Sequence, residues 1–129
     1  MTSDKTASLR IALAQLNPTV GDLEGNAQLA RRARAEAAAG GADLIVFSEL
    51  FITGYPPEDL IGKPAFIKAA RETVETLARD TGDGGPAMLI GTPWPGDGKP
   101  YNSVALLDQG AVADVRHKVD LPNYGVFDE

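Results

Sequence analysis

At 129 residues and 43% hydrophobic content, the chain is long enough for one domain with a real core. Twelve basic against eighteen acidic residues give a net charge of −6, which disfavours nucleic acid and anionic membrane surfaces as partners. There is no cysteine, so disulfides, thiolate metal sites and a cysteine nucleophile are excluded within these residues.

The opening MTSDKTASLR is polar and lacks the apolar stretch of a signal peptide, and no later segment approaches the roughly 18 apolar residues of a membrane span. A cytoplasmic protein is expected, with residues 1–8 as a disordered tail before a domain at 9–129. LRIALAQL, residues 9–16, reads as a first strand that exits through Asn17, Pro18 and Gly21. Residues 26–39, NAQLARRARAEAAA, are rich in helix formers, with Leu29, Ala33 and Ala37 on one stripe and Gly40 and Gly41 as the stop.

DLIVF, residues 43–47, is a short unbroken apolar run of the kind covered on both faces in a layered α/β protein. A second helix is predicted over residues 64–80, opened by Pro64, with Phe66, Ala70, Val74 and Leu77 inward and GDGG after it. AMLIG, residues 87–91, is a third strand, and TPWPGDGKP a loop. YNSVALLD and AVADVRHKV then pair as a hairpin around Gln109 and Gly110. Strands alternating with helices and then pairing locally predict a mixed sheet with helices on at least one face. The last residues stop without an evident cap, so the chain is expected to end inside its domain.

Glu49 follows the apolar run within two residues, before the breakers Gly54, Pro56 and Pro57. In open α/β sheets functional groups gather at the carboxyl edge of the strands, and a carboxylate against an apolar floor is raised toward neutral proton transfer. The same position also suits the first solvated residue after a strand. Lys118 closes the last strand-like run, where an ammonium can stabilise a developing oxyanion or simply keep a sheet edge soluble. His117 is the only histidine, and with no second histidine or any cysteine it reads as structural and a metal site is not expected. Tyr55 and Tyr124 sit in the loops after Glu49 and Lys118, where tyrosines wall a pocket or cover a core. Trp94 and Tyr101 read as loop packing, and Gly91 and Gly96 lack the Lys and Ser/Thr of a phosphate loop.

Together IALAQLNPTVGDLEGN, ADLIVFSELFITGYPPEDL, LIGTP, YNSVALL and RHKVDLPNYGVFDE resemble the carbon–nitrogen hydrolase (nitrilase) superfamily. TGYPPEDL and LPNYGVFDE are similar to its branch formed by the N-terminal glutaminase domains of bacterial glutamine-dependent NAD+ synthetases. The resemblance implies an α/β fold, the N-terminal half of a nitrilase-like αββα sandwich with a mixed β-sheet. It places the family's general base on Glu49, its catalytic lysine on Lys118, and the aromatic lining of a glutamine pocket on Tyr55 and Tyr124. The family's cysteine nucleophile is expected beyond Glu129, as is a C-terminal synthetase domain using ATP and Mg2+ to amidate deamido-NAD+. No cofactor is expected in this segment, and a homo-oligomer is expected of the whole protein. The fragment is then expected to be inactive and, with one sheet face uncovered, prone to aggregate. Two other readings remain: a stand-alone amidase of the same superfamily acting on another small amide, and a non-catalytic interaction module.

Overall fold

The chain is described by a computed structural model over residues 7–119. In chain order its regular elements are β1 (Ile11–Leu13), α1 (Leu23–Ala39), β2 (Leu44–Val46), α2 (Pro64–Asp80), β3 (Ala87–Trp94), β4 (Tyr101–Asp108) and β5 (Ala111–His117). Short 3-10 turns at Glu58–Gly62 and Thr81–Asp83 flank α2. The expected tail falls mostly outside the described residues; Ala7 and Ser8 are exposed and lack regular structure.

Helix α1 begins three residues earlier than the composition predicts, because Asp22 caps it by accepting from the Gly25 N–H at 2.9 Å. At its other end Gly41, at φ +82°, takes the left-handed position just past the helix. Its buried residues are Asn26, Ala27, Ala30 and Arg34, while Leu29, Ala33 and Ala37 lie half-buried beside the core. The inward stripe is thus rotated from the expected one. The reason is Arg34, whose Nε donates to the Pro86 carbonyl at 2.8 Å and whose fork grips both Asp83 carboxylate oxygens at 2.7 and 3.0 Å.

Helix α2 spans the predicted residues and has Pro64 at its first turn. It buries Ile67, Ala70, Val74, Leu77 and Ala78, each large aliphatic contributing about 2 kcal/mol by removal from water. Phe66, predicted inward, is only half-buried, and packs against a small second cluster of Leu50, Ile61 and Ile67.

The strands form one sheet in the order β1-β2-β3-β4-β5. The first three are parallel and the last three antiparallel, giving the mixed sheet. Strands β4 and β5 turn over Gln109 and Gly110, both at positive φ (52° and 84°), the geometry a tight two-residue hairpin needs. Strand β3 runs three residues further than predicted, through Thr92, Pro93 and Trp94. Proline is tolerated there because β2 has ended: Leu89 and Gly91 turn their carbonyls to the β2 side, so Pro93, two residues on, turns its donorless nitrogen to an unpaired edge.

Both helices pack on the face carrying Ile45, Met88, Ile90, Ala105 and Leu107. On the other face Leu44, Val46, Leu89 and Leu106 are half-buried, and Ile11 and Leu13 are 51% and 71% exposed. The run at residues 43–47 is therefore covered by helices on one side only, rather than on both as its unbroken apolarity predicts.

Candidate active site

The segment after β2 explains why a carboxylate interrupts an apolar run. Residues 50–53 (Leu50, Phe51, Ile52, Thr53) are all fully buried, so the chain does not leave the core at Glu49 but folds across the end of the sheet. Three devices hold it there. Gly91 on β3 lies so close beneath that a Cβ would collide with the Ser48 carbonyl oxygen and the Leu50 nitrogen. The Ile52 N–H donates to the Gly91 carbonyl at 3.1 Å. From α1, the Asn26 amide donates to the carbonyls of Thr19 (2.8 Å) and Ile52 (3.0 Å) and accepts from the Thr19 N–H. Within this loop Leu50 adopts φ +50°, a left-handed conformation costing a branched residue roughly 1–2 kcal/mol.

The result turns Glu49 outward while Leu50 and the residues after it turn in. Lys118, 69 residues away and one residue past β5, brings Nζ to 3.3 Å from both carboxylate oxygens. Asn102, at the start of β4, completes the arrangement: its Nδ2 donates to Glu49 Oε2 at 2.9 Å, and its carbonyl accepts the Lys118 N–H at 2.8 Å. One residue thus fixes the acid through its side chain and the lysine through its backbone. Phe47, Gly91, Val104 and these three polar residues line a cleft of about 310 Å³.

Glu49 and Lys118 side chains are 44% and 35% exposed, so the carboxylate is steered by donors rather than pressed against an apolar floor. An ion pair this exposed stabilises a fold by about 1 kcal/mol at most, no more than the strained Leu50 backbone costs. A carboxylate that can take a proton stands beside an ammonium that can hold negative charge.

Of the predicted site residues, the structure brings Glu49 and Lys118 together. Tyr55 is 59% exposed and is not part of the cleft wall. Tyr124 lies outside the described residues. His117 is engaged, its Nδ1 2.7 Å from Ser103 Oγ and its ring stacked on Tyr101 at 4.1 Å. Among the described residues no three His, Asp or Glu side chains gather to hold a cation, and no helix is long and apolar enough to cross a membrane.

Sequence reasoning missed Asn102, Gly91 and Asn26. Asn102 carries a signal, since with Ser103 it puts polar side chains at the start of a strand whose middle, Val104 to Leu107, is apolar, whereas Gly91 in the sequence shows only a strand end.

Comparison with known proteins matches residues 10–129 to the carbon-nitrogen hydrolase family. The chain is 46% identical over 121 residues to the glutamine-dependent NAD(+) synthetase of Thermotoga maritima and 44% identical over 124 residues to that of Rhodobacter capsulatus. The matches cover 94% and 96% of this chain but only 21% and 22% of those relatives, so the chain spans about a fifth of their length. The solved glutamine-dependent NAD(+) synthetase of Cytophaga hutchinsonii superposes with a TM-score of 0.82 at 31% identity, over 92% of this chain and 20% of that one. A nitrilase-superfamily amidase from Nesterenkonia superposes at 0.77 with 30% identity, over 92% of this chain and 48% of its own. In that amidase acrylamide adds to an active-site cysteine.

Proposed function

Since the chain belongs to the carbon-nitrogen hydrolase family, we propose that Glu49 and Lys118 are two reacting groups of a glutamine-hydrolysing site in a glutamine-dependent NAD+ synthetase. The observation that carries this reading is their convergence across 69 residues of sequence onto one cleft, with Asn102 bonded to both. In this reading a thiol from outside the 129 residues, which contain no cysteine, is the nucleophile. Glu49 takes the thiol proton as sulfur bonds to the amide carbon, and the carbonyl oxygen becomes an oxyanion beside Lys118 Nζ. Collapse breaks the C–N bond, Glu49 returns the proton to the leaving nitrogen, and ammonia departs. Glu49 then deprotonates the water that cleaves the thioester to glutamate.

Tyr124 is assigned to the glutamine side of the pocket; Tyr55, exposed and off the cleft wall, is not. ATP, Mg2+ and deamido-NAD+ are assigned to parts of the protein beyond these residues, and no step here runs through them. A soluble assembly of several copies in the cytoplasm accords with this function. The synthetase reading is preferred to a stand-alone amidase because the sequence relatives at 44–46% identity are synthetases, and the Cytophaga hutchinsonii synthetase superposes at a TM-score of 0.82 against 0.77 for the Nesterenkonia amidase.

The test is a chimera in which this chain replaces the matched stretch of the Thermotoga maritima synthetase. Glutamine-supported NAD+ formation is expected, with Glu49→Gln and Lys118→Met each lowering it by about 100-fold or more while ammonia-supported synthesis persists. Full glutamine-supported activity in both variants would remove the assignment. The 129-residue chain alone is expected to release no ammonia from glutamine.

A further inference from the structure

A larger cavity, about 580 Å³, opens where the first turns of α2 face the loop between β3 and β4, and it shares no lining residue with the Glu49–Lys118 cleft. Ile61, Ile67, Pro64, Pro95 and Pro100 form its apolar surface. Among the described residues its charged lining consists of three cations: Lys68 and Arg71 on α2, and Lys99 across the gap. In a chain of net charge −6 this local reversal of sign is notable, and the first turn of α2 carries no acid to offset it.

Arg71 and the loop carrying Lys99 are held in place. The Arg71 guanidinium lies over the Trp94 ring at 4.9 Å, and Glu75 engages its Nε at 3.4 Å. Gly96 lets the loop close on Tyr101, because a Cβ there would strike the Tyr101 ring and the Lys99 carbonyl. Gly98 sits at φ +102°, which keeps the tip carrying Lys99 in a turn that other residues resist. At Gly62 and Gly98 a Cβ would meet nothing within 4 Å, so these walls leave space rather than fill it.

We propose that this cavity binds a small phosphate monoester of nucleotide size, its dianionic head between Lys68, Arg71 and Lys99 and its apolar body on the isoleucine and proline surface. The volume falls in the range of small-molecule sites. With Arg71 already paired to Glu75, Lys68 and Lys99 leave two cations on the cavity wall, which suit a doubly charged head. A bare anion would leave the apolar surface uncovered, and a neutral ring would leave the cations uncompensated.

The experiment is an NMR titration of the 15N-labelled chain carrying Leu13→Glu, at a concentration where light scattering shows a monomer, with adenosine 5′-monophosphate, adenosine and inorganic phosphate in parallel. The monophosphate is expected to shift the amides of Gly62, Lys68, Arg71 and Gly98, with adenosine and phosphate each binding at least tenfold more weakly. Lys68→Ala with Lys99→Ala is expected to weaken the monophosphate at least tenfold. Gly62→Trp, which enters open space and changes no charge, is expected to abolish binding while spectral dispersion is retained. Phosphate or adenosine binding as tightly as the monophosphate, shifts mapping elsewhere, binding unchanged in the variants, or no binding at all would each overturn the proposal.

Discussion

Glu49 and Leu50 are adjacent, yet one is solvated and charged while the other is wholly buried at φ +50°. That inversion depends on small contacts around the loop. Adding a methyl group at Gly91 forces a backbone collision, so Gly91→Ala is expected to destabilise the chain by about 2–4 kcal/mol in urea unfolding and to separate Glu49 from Lys118. Asn26→Ala would strand the Ile52 carbonyl and take the partner of the Thr19 N–H, while the Thr19 carbonyl keeps its bond from the Asp22 N–H; a loss of about 2 kcal/mol is expected in the same assay. Asn102→Leu keeps the bulk but removes the donor to Glu49. In the chimera it is expected to lower glutamine-supported turnover by about 10–100-fold, with a smaller effect on folding than Gly91→Ala. A charge at a strand end is ordinary, and Glu49 and Lys118 were legible as a pair only because the family resemblance singled out both. Their supports were not, since a glycine or asparagine shows its purpose only when the partner backbone, dozens of residues away, is in place.

Among the elements, α1 and α2 are predicted well at their cores because helix formers and apolar spacing act locally. Start and facing are less legible: Asp22 lengthens α1, and Arg34 turns its inner stripe. Arg34 joins α1 to the segment entering β3, and its hydrogen bonds, with the Gly85 N–H, hold the Asp83 carboxyl well below the usual carboxylate range. Because this folded-state pKa is depressed, the stabilisation is fully present above the unfolded value of about 4 and fades as pH falls below it. Thermal melts from pH 7 to pH 2 are therefore expected to show an acid-side decline that Asp83→Asn makes shallower, with lower stability at pH 7. An unchanged acid slope in that variant would show that the Arg34–Asp83 pair does not set it.

The described residues form a sheet with helices on one side and, among them, none on the other, apolar face, where Leu13 is 71% exposed. Such a face is expected to make the purified chain self-associate, and Leu13→Glu to raise the concentration needed by about tenfold, as read by light scattering after size exclusion. The sequence alone determined the element types, the hairpin turn and the two charged residues worth pairing, because propensity, apolar period and turn chemistry are written within a few residues of one another. Only the tertiary structure decided which sheet face stays open, that the loop after β2 is buried, and that Asn102 holds acid and lysine together. Those depend on contacts between segments far apart in the chain, and a linear pattern carries no distance between them.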